Sequence, residues 1–140
     1  MPVEFVFELW AKRSIPLPKF TGYVARAIFL HMIKQINPSE AAKLHQENVM
    51  KPYSTTPLRF KAKARSGEGY LLDPAYPCIL TVRLLDERYA QYLMQYLAVK
   101  DSLMVGSEEL RIGSVRVKSQ SYGELEVSKP AQAFRLYFIT

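Results

Sequence analysis

His45 and Lys51 stand six residues apart in "LHQENVMKPYS", residues 44–54. The first carries an imidazole, a group whose ordinary pKa of about 6.5 lets it take or give a proton at neutral pH. The second carries a compact ammonium, able to steady charge that grows on a phosphate in a transition state. These are the residue types that phosphodiester chemistry asks for. The competing reading of His45 is a half-exposed side chain at a helix C-terminus, where the helix dipole favours a cation. His31, mid-helix beside Ala27 and Ile28, reads as a packed residue. Cys78 in "YPCILTV" reads as a buried apolar thiol.

Several other chemistries are excluded. The two histidines lack metal-ligand spacing and no acidic cluster resembles a magnesium site, so neither metal nor cofactor is expected. Gly67 and Gly69 flank a single glutamate, which is turn chemistry and not a phosphate loop. A single cysteine rules out an internal disulfide and suits a reducing cytosol. No apolar run approaches the roughly 20 residues that span a bilayer. "MPVEFVFELW" carries acids within its apolar stretch and is not a signal peptide.

A second constellation concerns binding. Arg59, Lys61, Lys63 and Arg65 alternate with Leu58, Phe60, Ala62 and Ala64. In an extended strand such charges fall on one face, roughly 6.6 Å apart. No acid occurs from Lys51 through Ser66. A row like this can track a nucleic-acid backbone and release its counterions. It can equally be a solvated edge strand kept from aggregating by its lysines. Lys19 and Arg26, earlier in the chain, complete the candidate nucleic-acid-binding set. The net charge of +6, from 19 basic and 13 acidic residues, is compatible with such a partner.

The elements that must position these groups follow from periodicity. Val3, Phe5, Phe7 and Leu9 alternate with Glu4, Val6, Glu8 and Trp10, which is strand patterning. After "SIPLP" a helix is expected from Lys19 to about Ile36, with Tyr23, Val24, Ala27, Ile28, His31 and Met32 on its apolar face. Asn37 and Pro38 open a second short helix ending near His45. The basic strand is expected to pair with "CILTVRLL" as a hairpin. Asp86 caps a helix to about Lys100, with Ala90, Leu93, Met94 and Leu97 as its buried stripe. Tyr89, Tyr92 and Tyr96 read as packing, and two further strands follow. The order strand, helix, strand, strand, helix, strand is that of a ferredoxin-like α+β sandwich, an antiparallel sheet with helices on one face. The 140 residues suffice for one such domain.

The stretch "LPKFTGYVARAIFLHMIKQINPSEAAKLHQENVMKPYSTTPLRF" resembles the N-terminal domain of the CRISPR repeat-processing endoribonucleases, of the repeat-associated mysterious protein superfamily. The carriers are the proline entering the first helix, "NP" before the second, "LH" at its end, and "KPYS…PL". The resemblance implies a cytoplasmic prokaryotic enzyme that cuts precursor CRISPR RNA within its repeats without a metal. The 2′-hydroxyl attacks the adjacent phosphodiester, leaving a 2′,3′-cyclic phosphate and a 5′-hydroxyl. It places the family's histidine at His45 and its lysine at Lys51. A tyrosine of some members falls at Leu30, which carries no proton. Members of the family usually have a second ferredoxin-like half, so this chain is expected to be the N-terminal half of a two-domain protein. Repeat RNA is the implied partner, with a second domain or another CRISPR-associated subunit beside it. The alternatives are a non-catalytic RNA-binding subunit of a CRISPR effector, or an assembly domain that forms a homodimer through its sheets.

Overall fold

The first strand, β1 (Val3–Ala11), is the frame of the molecule. Its residues alternate between buried and half-buried along its whole length. That period of two sends Val3, Phe5, Phe7 and Leu9 into the core and leaves Glu4, Val6, Glu8 and Trp10 on the opposite face. The computed structural model describes residues 2–46 and 51–119, together with the backbone of residues 132–137. The "ENVM" of the site-bearing stretch and the last three residues of "FRLYFIT" therefore lie outside the described residues.

Chain order continues through β2 (Pro16–Leu17), α1 (Gly22–Ile36), α2 (Pro38–His45), β3 (Tyr53–Thr55), β4 (Ala62–Ser66) and β5 (Gly69–Leu72). Then come β6 (Cys78–Leu84), α3 (Glu87–Val99), β7 (Ser102–Val105), β8 (Glu108–Ser119) and β9 (Gln132–Tyr137). The main sheet runs β3-β6-β1-β8-β7, with β9 also paired to β8. Every neighbouring pair is antiparallel, so β3 and β1 run parallel with β6 between them. This interleaving is the split β-α-β arrangement of a ferredoxin-like sheet, and the helices cover one face. Among the described residues no helix is long and apolar enough to cross a membrane.

The local signals place α2 and α3 where the capping residues demand. Asn37 Oδ1 accepts from the Glu40 amide at 3.2 Å, and Pro38 occupies the first turn. Asp86 Oδ1 accepts from the Arg88 amide at 2.9 Å. Four sequence expectations are corrected. The first helix starts at Gly22, three residues later than Lys19, because Thr21 Oγ1 donates to the Leu58 carbonyl at 3.2 Å and does not cap the helix. Its buried face is Ala25, Ile28, Phe29, Met32 and Ile33, rotated by one residue, so Tyr23 and Ala27 are exposed. In α3 Met94 is exposed, and Tyr89 and Tyr96 join Ala90, Leu93 and Leu97 on the buried face.

The fourth correction concerns the basic strand. Its hairpin partner is β5, and β6 belongs to the main sheet. The turn between them uses Gly67 at φ 58, a left-handed conformation that glycine adopts without a Cβ penalty. Strands β2, β5 and β4 form a separate small sheet. Gly69 allows that sheet to close, since a Cβ there would lie 2.1 Å from the Leu17 carbonyl oxygen.

The tyrosines of α3 do more than pack. Tyr89 Oη donates to Glu40 Oε2 at 3.1 Å, Asn37 Nδ2 donates to Tyr92 Oη at 3.2 Å, and Tyr96 Oη donates to the Ser102 carbonyl at 2.7 Å. Burial, with Glu40 beside it, pushes the Tyr89 phenol up to about 12, and burial alone does the same to the Cys78 thiol. Both groups are acids held neutral in the native state. Their stabilisation is complete below the ordinary values of 9.0 and 10.0 and is lost as pH rises toward 12. Urea unfolding midpoints should therefore fall between pH 9 and 12. Tyr89→Phe should lose about 1–3 kcal/mol at pH 7, because Glu40 is left short of a donor. Its alkaline loss should be shallower than that of the parent.

Candidate active site and cationic surface

At eight residues α2 is too short to persist by itself, since isolated helices below about 12 residues are marginal in water. Tertiary ties hold it. Asn37 and Glu40 bond to Tyr92 and Tyr89 of α3, and Ala41 and Leu44 are buried against the core. The helix ends at His45, which is exposed, while the Gln46 amide closes the last turn onto the Lys43 carbonyl.

A helix end leaves carbonyl oxygens without amide partners and carries partial negative charge. Lys51 answers both. Its ammonium donates to the carbonyls of Leu44 and Gln46, the residues on either side of His45. The chain thus leaves α2 and returns its next lysine to the helix end. An ammonium has three N–H donors, so among the described residues one remains for another acceptor. The Lys51 amine thus lies against the backbone on either side of His45, a structural duty that spacing did not show.

Two residues beyond Lys51 lies a group that sequence reasoning passed over. Tyr53 opens the edge strand β3, and its ring packs against Phe29 of α1 at 4.6 Å. Arg26 Nε donates to Tyr53 Oη at 3.2 Å. Arg26, expected among the RNA-binding residues, is half-buried and turned to this phenol. Leu30, one helical turn further along α1, is half-buried and aliphatic. The sequence signal for Tyr53 was its place at the start of a strand straight after Lys51.

The four strand cations do not form one even row. Arg59 lies outside β4, in an isolated bridge to Ile79 of the main sheet. The Lys61 amine sits 4.1 Å from the centroid of the Tyr76 ring, a cation–π contact. The register shifts between Ala62 and Ala64, so Lys63 falls at a bulge. Arg65, near the hairpin tip, lines a cleft of about 540 Å³ with Lys19, Tyr70 and Glu68. All four are exposed, as is Lys19, and among the described residues none of the five is in an ion pair. On the open sheet face, Glu4 is bridged to Arg83 at 2.8 Å and Glu8 accepts from Trp10 Nε1 at 3.0 Å. His31 is half-buried and lines a groove beside α1, so it is less enclosed than its sequence neighbours implied. Cys78 is buried as expected. Among the described residues no group of three or more His, Cys, Asp or Glu side chains is placed to hold a metal ion.

The profile of the CRISPR Cas6 N-terminal domain matches residues 1–129. The chain belongs to that family. A Cas6 product complex superposes with a TM-score of 0.60 at 25% identity, over 82% of this chain and 39% of the other. A CRISPR-associated Cas6 protein gives 0.61 at 13% identity, over 97% and 62%. A Cas6-related protein from Pyrococcus furiosus gives 0.63 at 8% identity, over 98% and 63%. The latter two speak for the fold alone. The chain spans 39% to 63% of the length of these solved relatives. No curated protein matches it.

The structural duty of Lys51 in this Cas6-type domain is measurable apart from any activity. Lys51→Ala should lower unfolding stability by about 1–3 kcal/mol, the range for a charge-assisted hydrogen bond. Lys51→Arg should keep most of it. Chemical denaturation of the two variants beside the parent decides the matter, and equal midpoints would mean the amine does not hold the helix end.

Proposed function

We propose that this chain is the catalytic, N-terminal ferredoxin-like domain of an endoribonuclease that cuts precursor CRISPR RNA within its repeats. The observation that carries the reading is the seat of the Lys51 ammonium on the carbonyls flanking His45. It sets an exposed imidazole and a fixed cation at one helix end. Membership of the Cas6 N-terminal family and the 25% identity to a Cas6 product complex support the same assignment.

In this mechanism the nucleophile belongs to the substrate. The 2′-hydroxyl attacks the neighbouring phosphorus and the bond to the 5′-oxygen breaks, giving a 2′,3′-cyclic phosphate and a 5′-hydroxyl. The protein's task is to align sugar and phosphate and to move protons. His45 exchanges the proton, as base toward the 2′-hydroxyl or acid toward the leaving oxygen. Lys51 offers its remaining N–H to the phosphoryl oxygens as their charge grows. Arg59, Lys61, Lys63, Arg65 and Lys19 supply cationic surface for the rest of the strand, and RNA is required because the reaction consumes a 2′-hydroxyl. A second reading has its own support: two donors of Lys51 are already spent on backbone, as they would be in a non-catalytic RNA-binding subunit.

Repeat RNA incubated with the protein in EDTA separates the two. The catalytic reading expects scission that persists in chelator, disappears when the nucleotide at the cut carries a 2′-deoxy sugar, and falls by about 10²-fold or more in His45→Ala. Cleavage undiminished in that variant would remove His45 from the reaction. RNA bound but never cut, under any condition, would favour the binding subunit.

A further inference from the structure

The apolar stripe that the sequence assigns to α1 is not fully covered. Tyr23, Val24, Ala27, Ile28 and His31 line an open groove of about 740 Å³ beside Met104 and Val105. Tyr23, 77% exposed, stands at its rim, and Phe20, 61% exposed, stands beside Tyr23. Their rings meet edge to face, with centroids 6.1 Å apart and planes at 84°. Gly22 makes room for this pair, since a Cβ on it would lie 2.5 Å from the Phe20 ring carbons Cε1 and Cζ. The glycine at the opening of α1 thus lets the ring lie against the backbone.

The groove meets the cationic cleft at a shared ridge, Pro18. On the far side Lys19 and Arg65 face the same opening, with Glu68 as the acid opposing them. Neither cation is engaged in an ion pair among the described residues. Aromatic faces beside unpaired cations match the chemistry of a single-stranded nucleotide: a flat base to stack and a phosphate to neutralise. A protein segment would use the apolar area and leave the two cations without purpose.

We propose that Phe20 and Tyr23 form a stacking platform for an unpaired base of the RNA, whose neighbouring phosphate is held by Lys19 and Arg65. This rests on the RNA-processing reading and deepens it. The platform lies where the chain enters α1, beside the cleft of the β4–β5 hairpin, shares no residue with the His45–Lys51 corner, and grips RNA without taking part in the reaction.

The test uses the His45→Ala chain, so that RNA stays intact whatever the fate of the catalytic reading. The probe is a single-stranded RNA of mixed sequence with 2-aminopurine at successive positions. Phe20→Leu with Tyr23→Leu keeps apolar bulk and removes both π faces. This double variant should weaken binding about five- to tenfold, with little change in salt dependence, and should abolish 2-aminopurine quenching at one position. Lys19→Gln with Arg65→Gln should flatten the plot of log affinity against log salt by about 0.7, the value for one lost phosphate contact on a single strand. Glu68→Gln should tighten binding. Parent-like affinity and quenching in the double leucine variant, with circular dichroism showing it folded, overturn the platform while leaving RNA binding in place. A parent that binds no RNA overturns the platform together with the reading it rests on. Binding that depends on both variants in a protein that never cuts RNA upholds the platform and sinks only the catalysis.

Discussion

A two-turn helix cannot hold its shape in water on hydrogen bonds of its own, because nucleation costs more than so few residues return. Everything attributed to the corner at His45 depends on how α2 escapes that limit. It does so from outside. Glu40 is carried into the interior and given a phenolic donor by Tyr89, Asn37 is shared between the helix cap and Tyr92, and Leu44 is sealed in the core. The far end is finished by the Lys51 ammonium on two backbone carbonyls. In the proposed reaction, stability and chemistry meet in that one side chain.

That arrangement has a functional consequence. A cation fixed by backbone oxygens pays little further conformational entropy when a phosphate arrives, whereas a free lysine must be ordered at that moment. His45, between the two carbonyls that hold the Lys51 ammonium, is exposed. Arg26, Tyr53 and Phe29 buttress the adjoining edge strand through a hydrogen bond and a ring contact. Substitutions in that buttress would act on the corner by displacing β3.

The cationic surface follows a different logic. An unbroken ladder of lysines on a regular strand would hold an extended backbone at even intervals. Here a bulge, an isolated bridge and a cation–π contact send successive charges to different neighbours. Arg59 stands with the main sheet and Arg65 with the cleft at Pro18, so the charge is divided between two sheets and does not form one even line.

The sequence by itself determined whatever is decided within a few residues. Alternation named the buried row of β1, Asn37 with Pro38 and Asp86 named two helix starts, and "SGEGY" named the turn at Gly67. The words around His45 and Lys51 pointed to the family, to which the chain belongs. Tertiary structure decided what depends on competition between distant partners. β5 displaced β6 as mate of the basic strand, because β6 is taken by β1 on one side and β3 on the other. The buried face of α1 shifted by one residue, since a stripe broad enough for two neighbouring phases is settled by the surface it meets. The Lys51 contact with the carbonyls of Leu44 and Gln46 was likewise invisible in spacing, because a flexible side chain finds its acceptor only once the backbone has placed it.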